Sequence, residues 1–129
     1  MMIYGIGIDV VEVERIETAI ARQGESFVRR LFTVAEREYC EKQRRPGMHF
    51  AARFAAKEAV SKALGTGIGG NAGWLELEVV REESGAPKMV FHGAAANFLI
   101  SEGIAEVRVS LSHARDYAAA NAVAVRVAG

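Results

Sequence analysis

Between Met2 and Val11 the side chains alternate, with Met2, Tyr4, Ile6 and Ile8 on one side and Ile3, Gly5, Gly7 and Asp9 on the other. A period of two predicts a strand. Asp9 shares its face with two glycines, which leaves room above the backbone beside a carboxylate. The pattern then becomes helical but broken. Glu12 to Arg22 forms one segment, Gly24 ends it, and Ser26 to Leu31 forms a short second. Thr33-Val34-Ala35-Glu36 fits a capping box and opens a third. Pro46-Gly47 predicts a turn that closes this region.

Residues 49–64 carry the clearest helical signal. Ala55, Ala56, Ala59, Val60 and Ala63 fill one half of the wheel, and Arg53, Lys57, Glu58, Ser61 and Lys62 the other. A half made of such small residues predicts backbone packed closely on backbone. Gly65, Gly67, Gly69 and Gly70 end the helix in a glycine-rich loop. Strands are predicted at 74–81 and 87–91, a short apolar helix from Gly93 to Ser101, and strands at 106–112 and 117–127. This order of strand, helices, strands, helix and strands gives an α+β class. A length of 129 residues suits one domain, 1–129.

Half of the residues are apolar and a quarter charged, an ordinary globular balance. A domain this small has little room for an enclosed cleft, so a site shared between subunits is a reasonable expectation. Met1-Met2-Ile3-Tyr4-Gly5 lacks the basic start and long apolar stretch of a secretory leader. No apolar run approaches the roughly 20 residues of a membrane span. Cys40 is the only cysteine, which excludes an intrachain disulfide and fits a reducing cytoplasm. It lacks a zinc-like spacing and reads as an incidental thiol.

Net charge is zero but unevenly spread. From Arg22 to Lys62 ten basic residues stand against five acidic ones. Such an excess suits a polyanionic ligand or an acidic partner, and equally a solvated helical surface.

Three places carry more polar chemistry than a fold needs. Asp9 is either an exposed strand residue or a ligand for a hard cation. Glu58 and Lys62, at i and i+4, form either a stabilising surface pair or part of a site. Arg53, Lys57 and Lys62 put three cations on the same half of one helix, and like charges there repel unless an anion or partner separates them. Ser110-Leu111-Ser112-His113 ends a strand, where a solvent-facing histidine is the ordinary reading. No Gly-x-Ser-x-Gly elbow exists, and Ser112 adjoins His113 too directly to make a nucleophile and its base. Gly5-Ile6-Gly7-Ile8-Asp9-Val10 lacks the third small residue of a dinucleotide fingerprint. The loop from Gly65 to Gly70 follows a helix instead of preceding one and has no Gly-Lys-Ser/Thr, so it is not a Walker loop.

Taken together, the segments resemble one family. The run from Gly5 through Asp9 to Ile16 resembles the opening of bacterial holo-acyl-carrier-protein synthases. Arg53-Phe54-Ala55-Ala56-Lys57-Glu58-Ala59-Val60-Ser61-Lys62-Ala63-Leu64-Gly65 resembles their central helix. Gly85-Ala86-Pro87 is similar to their Gly-x-Pro turn, and Leu111-Ser112-His113 with Tyr117-Ala118-Ala119-Ala120 to their closing hairpin. The resemblance implies a 4′-phosphopantetheinyl transferase domain with an antiparallel sheet against a long central helix. It implies a homotrimer with sites at subunit interfaces, part of each coming from a neighbour. Asp9 and Glu58 are then Mg²⁺ ligands and Lys62 sits near the phosphates. Arg53, Gly65, Pro87, Ser112 and His113 line a coenzyme A site. Residues 17–48 match only loosely, and Arg15, Arg22 and Arg29 are the choices for docking an acidic acyl carrier protein.

Two rivals follow from the same residues. One is a nucleotide-phosphate hydrolase using the carboxylates with water as nucleophile. The other is a non-enzymatic module that binds an acidic partner or nucleic acid. Against nucleic acid, the basic stretch is mixed with glutamates and the net charge is zero.

Overall fold

The alternation read in the first residues becomes an edge strand, β1 (Met2–Glu12), of a computed structural model that describes residues 1–127. Positions 128 and 129 of the expected domain lie outside the described residues. After β1 come α1 (Val13–Gln23), α2 (Glu25–Leu31), α3 (Val34–Glu41) and the long α4 (Pro46–Leu64). A single 3-10 turn at Trp74–Glu76 leads into β2 (Leu77–Arg81), β3 (Pro87–Phe91), α5 (Gly93–Glu102), β4 (Ile104–His113) and β5 (Tyr117–Arg126). The strands form an antiparallel sheet ordered β1-β5-β4 and a separate β2-β3 hairpin. The α+β class and the central helix are as expected.

The joint between α4 and the sheet positions everything else. β5 turns Ala118, Ala120, Ala122 and Ala124 inward, all buried. Gly5, Gly7 and Asp9 of β1 sit opposite Ala124, Ala122 and Ala120 and share that face. From the helix come Ala55, Ala56, Ala59, Val60 and Ala63, likewise buried. Backbone therefore approaches backbone. A Cβ on Gly5 would overlap the Ala63 carbonyl oxygen, and one on Gly7 the Ala59 carbonyl oxygen. The room expected above the two glycines is thus occupied by α4 itself, because the small residues let the helix descend onto the strand.

The polar half of α4 is largely enclosed, with only Lys62 exposed. At about 100° per residue, Lys57 and Ser61 fall in the middle of that half and Arg53 and Lys62 at its two borders. Lys57 and Ser61 are fully buried. The Lys57 ammonium donates to Glu36 Oε1 (2.7 Å) and to the carbonyls of Leu31 and Trp74, each at 2.8 Å. Glu36 also accepts from the amides of Thr33 and Val79, so α2, α3 and β2 are tied to the middle of α4. Removal from water lowers the pKa of Lys57, and Glu36 opposes that pull. Lys57 accordingly leaves the expected cation trio, since its charge already has a partner. The capping box at Thr33 forms as read.

Two boundaries differ from expectation. Pro46-Gly47 begins α4 instead of ending the preceding region; a proline lacks only an amide that the first helical turn leaves free. Residues 74–76 are a turn before β2, since Glu76 bends back to accept from Gly73 N and reaches across to Ala94 N.

The face of the sheet away from α4 is bare. Ile6, Ile8 and Val10 are 69%, 64% and 60% exposed there, beside the half-buried Val123 and Val125.

Candidate active site

β1 carries Asp9 alongside the C-terminal half of α4. The Lys62 ammonium donates to the Ile8 carbonyl (3.0 Å) and to Asp9 Oδ1 (3.3 Å). Lys62 therefore pairs across to the strand, not with Glu58 one turn away. Glu58 lies in the same place. Its pKa is pushed above the usual carboxylate range, first by partial withdrawal from water and then by the negative charge of Asp9. Lys62 and Arg15 act in the opposite sense. Residues 9, 58 and 62 are thus brought together by the tight joint.

Two carboxylates in mutual repulsion call for a cation. Among the described residues no group of three or more His, Cys, Asp or Glu side chains is placed to hold a metal. Two carboxylates offer hard oxygen donors, a chemistry that Mg²⁺ would accept. Gly65 caps α4 in the left-handed conformation at φ 78°. Beyond it opens a cavity of about 670 Å³ lined by Tyr4, Lys62, Gly65, Thr66, Asn71 and Phe98.

Arg53 and His113 meet elsewhere, on the other flank of α4. Nine residues separate Arg53 from Lys62, so they project about 180° apart around the helix. The Arg53 guanidinium lies 4.2 Å above the Tyr39 ring centroid, and Arg81 lies 5.3 Å from the same centroid. Arg81 Nη1 donates to the Tyr39 hydroxyl at 2.7 Å. The His49 ring stands 4.9 Å from His113 and 6.0 Å from Tyr39, centroid to centroid. Pro87 is directly across the hairpin from Arg81 and borders a groove of about 400 Å³ between β3, β4 and α5. Tyr39, His49 and Arg81 were not singled out from the sequence. One signal was present for His49: it stands four residues before Arg53, on the same stripe of α4.

Ser112 is separate. It pairs with Ala119, whose neighbours Ala118 and Ala120 face the core. Ser112 therefore points to the bare side of the sheet and His113 to the α4 side, which excludes them as a hydrolytic couple. Arg15 and Arg22 line one shallow polar concavity with Glu12, Glu14 and Thr18. Arg29, on the next helix, is held by Glu25 at 2.8 Å.

Asp9, Glu58 and Lys62 thus gather at one helix–strand joint, and the whole chain can be placed among known proteins. Residues 5–122 match the family model of the 4′-phosphopantetheinyl transferase superfamily, and the chain belongs to that family. It is 48% identical over 122 residues to the holo-acyl-carrier-protein synthase of Koribacter versatilis, covering 95% of this chain and 98% of that protein. The crystal structure of the Neisseria meningitidis holo-acyl-carrier-protein synthase superposes with a TM-score of 0.91 at 35% identity, over 97% of this chain and 100% of that one. The Helicobacter pylori synthase, solved in complex with coenzyme A, gives a TM-score of 0.83 at 30% identity, covering 93% and 99%.

Proposed function

We propose that this chain transfers the 4′-phosphopantetheine group of coenzyme A to a serine of an apo-acyl carrier protein, releasing 3′,5′-ADP. The observation that carries this reading is the meeting of Asp9, Glu58 and Lys62 at the β1–α4 joint. One phosphopantetheinyl transferase domain spans 1–129, and Asp9 and Glu58 hold Mg²⁺. Bound there, the ion supplies charge neutralisation for the pyrophosphate.

The carrier serine oxygen attacks the β-phosphorus of coenzyme A. The bond from that phosphorus to the bridging oxygen breaks, and 3′,5′-ADP departs with the electron pair. Lys62 stabilises the charge that grows on the departing side. Glu58 accepts the serine proton. Gly65, at the mouth of the 670 Å³ cavity, lets backbone approach the arm of the substrate.

Arg53 and His113 lie on the opposite flank of α4 from the carboxylates, and Ser112 faces the bare side of the sheet. These placements support a site completed by a neighbouring copy, in a homotrimer joined through the exposed Ile6, Ile8 and Val10 face. Arg15 and Arg22, with Arg29 beyond them, receive the acidic carrier. No helix among the described residues is long and apolar enough to cross a membrane. We place the protein in the cytoplasm, serving fatty-acid and related lipid synthesis.

Mass spectrometry of an apo carrier protein after incubation with coenzyme A, Mg²⁺ and this protein tests the proposal. A gain of one phosphopantetheine arm is expected. Release of 3′,5′-ADP without the carrier favours the hydrolase, and no reaction at all favours a binding module.

A further inference from the structure

Three successive residues of α4 do three different things. Lys57 is fully buried, Glu58 stands within reach of the Asp9 charge, and Ala59 lies in the seam against Gly7. At about 100° per residue, Lys57 and Ala59 stand nearly opposite each other on the helix, and Glu58 projects between them. The seam side is smooth. Alanine and glycine hold α4 close to the sheet but raise no ridge that would stop the helix from rolling about its own axis.

The opposite side is pinned. The Lys57 ammonium has three donors and three acceptors, and each acceptor belongs to a different element. They are Glu36 Oε1 of α3 at 2.7 Å, the carbonyl of Leu31 at the end of α2, and the carbonyl of Trp74 in the turn before β2. The side chains of Lys57 and Glu36 have no exposed surface. An apolar pair of the same volume is often as stable as a buried ion pair, so stability alone does not account for this arrangement. What three directional bonds add is a fixed angle. A roll of α4 by about 10° carries a side-chain tip about 5–6 Å from the axis through about 1 Å. The ammonium would then leave at least one acceptor, since N–H···O bonds span only about 2.7–3.2 Å. The Glu58 carboxylate would move as far relative to Asp9, which stays on β1.

We propose that Lys57 is a positioning residue for the reaction: its three bonds set the roll of α4 and so hold the Glu58 carboxylate at its working separation from Asp9. The proposal rests on the transferase reading above and gives Lys57 no contact with substrate.

Binding of Mn²⁺ to the intact protein without coenzyme A, followed by the electron paramagnetic resonance of the free ion, tests this. Mn²⁺ takes the same hard oxygen ligands as Mg²⁺. The double variant Lys57→Met with Glu36→Gln removes the clamp without stranding a charge. Ile104→Ala, in the core at the start of β4, is the control that loses stability without touching the clamp. Well below the melting temperature of every variant, the double variant is expected to bind Mn²⁺ about 10–100-fold more weakly than the wild type. Ile104→Ala is expected to keep wild-type affinity. Undiminished Mn²⁺ binding in the double variant, or an equal loss in Ile104→Ala, overturns the proposal. Should the double variant not fold, Glu36→Gln alone carries the test, because it turns a charge-assisted bond to Lys57 into a weaker one. A smaller loss of Mn²⁺ affinity, absent from Ile104→Ala, is expected there, and no loss overturns the proposal. A wild type that binds no Mn²⁺ sinks the two-carboxylate metal site along with it. Retained binding in the double variant, with carrier modification by the wild type intact, sinks this inference alone.

Discussion

Gly7→Ala tests whether the closeness of β1 to α4 makes the site. The added Cβ would overlap the Ala59 carbonyl oxygen and lie 2.9 Å from both Ala63 N and Lys62 Cβ. Favourable carbon contacts sit at about 3.5–4.0 Å, and these neighbours are backbone or the root of a side chain, so none can swing aside. The strand has to retreat by about 1 Å. Overpacking of this kind costs about 1–3 kcal/mol. At roughly 4 °C per kcal/mol for a domain near this size, Tm falls by about 4–12 °C. Asp9 lies two residues along the same face and moves with the strand, while Glu58 stays on the helix. A displacement of about 1 Å in reacting groups costs on the order of 100-fold in rate. Calorimetric melting and phosphopantetheinylation of a carrier protein at saturating Mg²⁺ measure the two effects. A variant that melts with the wild type and keeps its turnover refutes the reasoning.

Other perturbations separate the remaining parts. Lys57→Met strands Glu36 in the interior and is expected to cost about 3–5 kcal/mol in urea unfolding; the double variant with Glu36→Gln is expected to be milder, and equal losses contradict the ion-pair account. Because the folded pKa of Glu58 is raised, stability falls as pH rises from the unfolded value of about 4.3 through the higher folded one. Glu58→Gln is therefore expected to raise the Tm of metal-free protein near neutral pH and to leave it unchanged below about pH 3, where the carboxyl is protonated in both folded and unfolded states. The same variant loses transfer even at Mg²⁺ concentrations that restore metal binding; unchanged turnover there rejects Glu58 as the base. Raising salt is expected to weaken carrier binding more than coenzyme A binding, because charges such as Arg15 and Arg22 are exposed and screened; equal sensitivity measured by titration argues against docking through them.

The period-two start, the alanine stripe of α4 and the capping box at Thr33 were legible because each is a local pattern with a local cause. The nearness of Asp9 to Glu58 was legible only through the family resemblance. Lys57 misled because a helical wheel assigns sides without knowing what covers them; a lysine under α2 and α3 reads the same as one in water until Glu36, 21 residues away, is found beneath it. Lys62 misled for a similar reason. Its i, i−4 partner was visible in sequence, whereas Asp9 and the Ile8 carbonyl lie on another element. The grouping of Tyr39, His49 and Arg81 around Arg53 draws on three elements, and only its α4 members share a readable spacing.

The joint of glycine and alanine also says where this catalyst is able to change. Long side chains adapt by choosing new rotamers, but a seam of Ala59, Ala63, Gly5 and Gly7 has none to choose. The gap between the two carboxylates is fixed by main-chain thickness. Redesign for an altered pantetheine donor or a different carrier therefore belongs at the rim, in the loop after Gly65 or along α1, where substitutions leave that gap untouched.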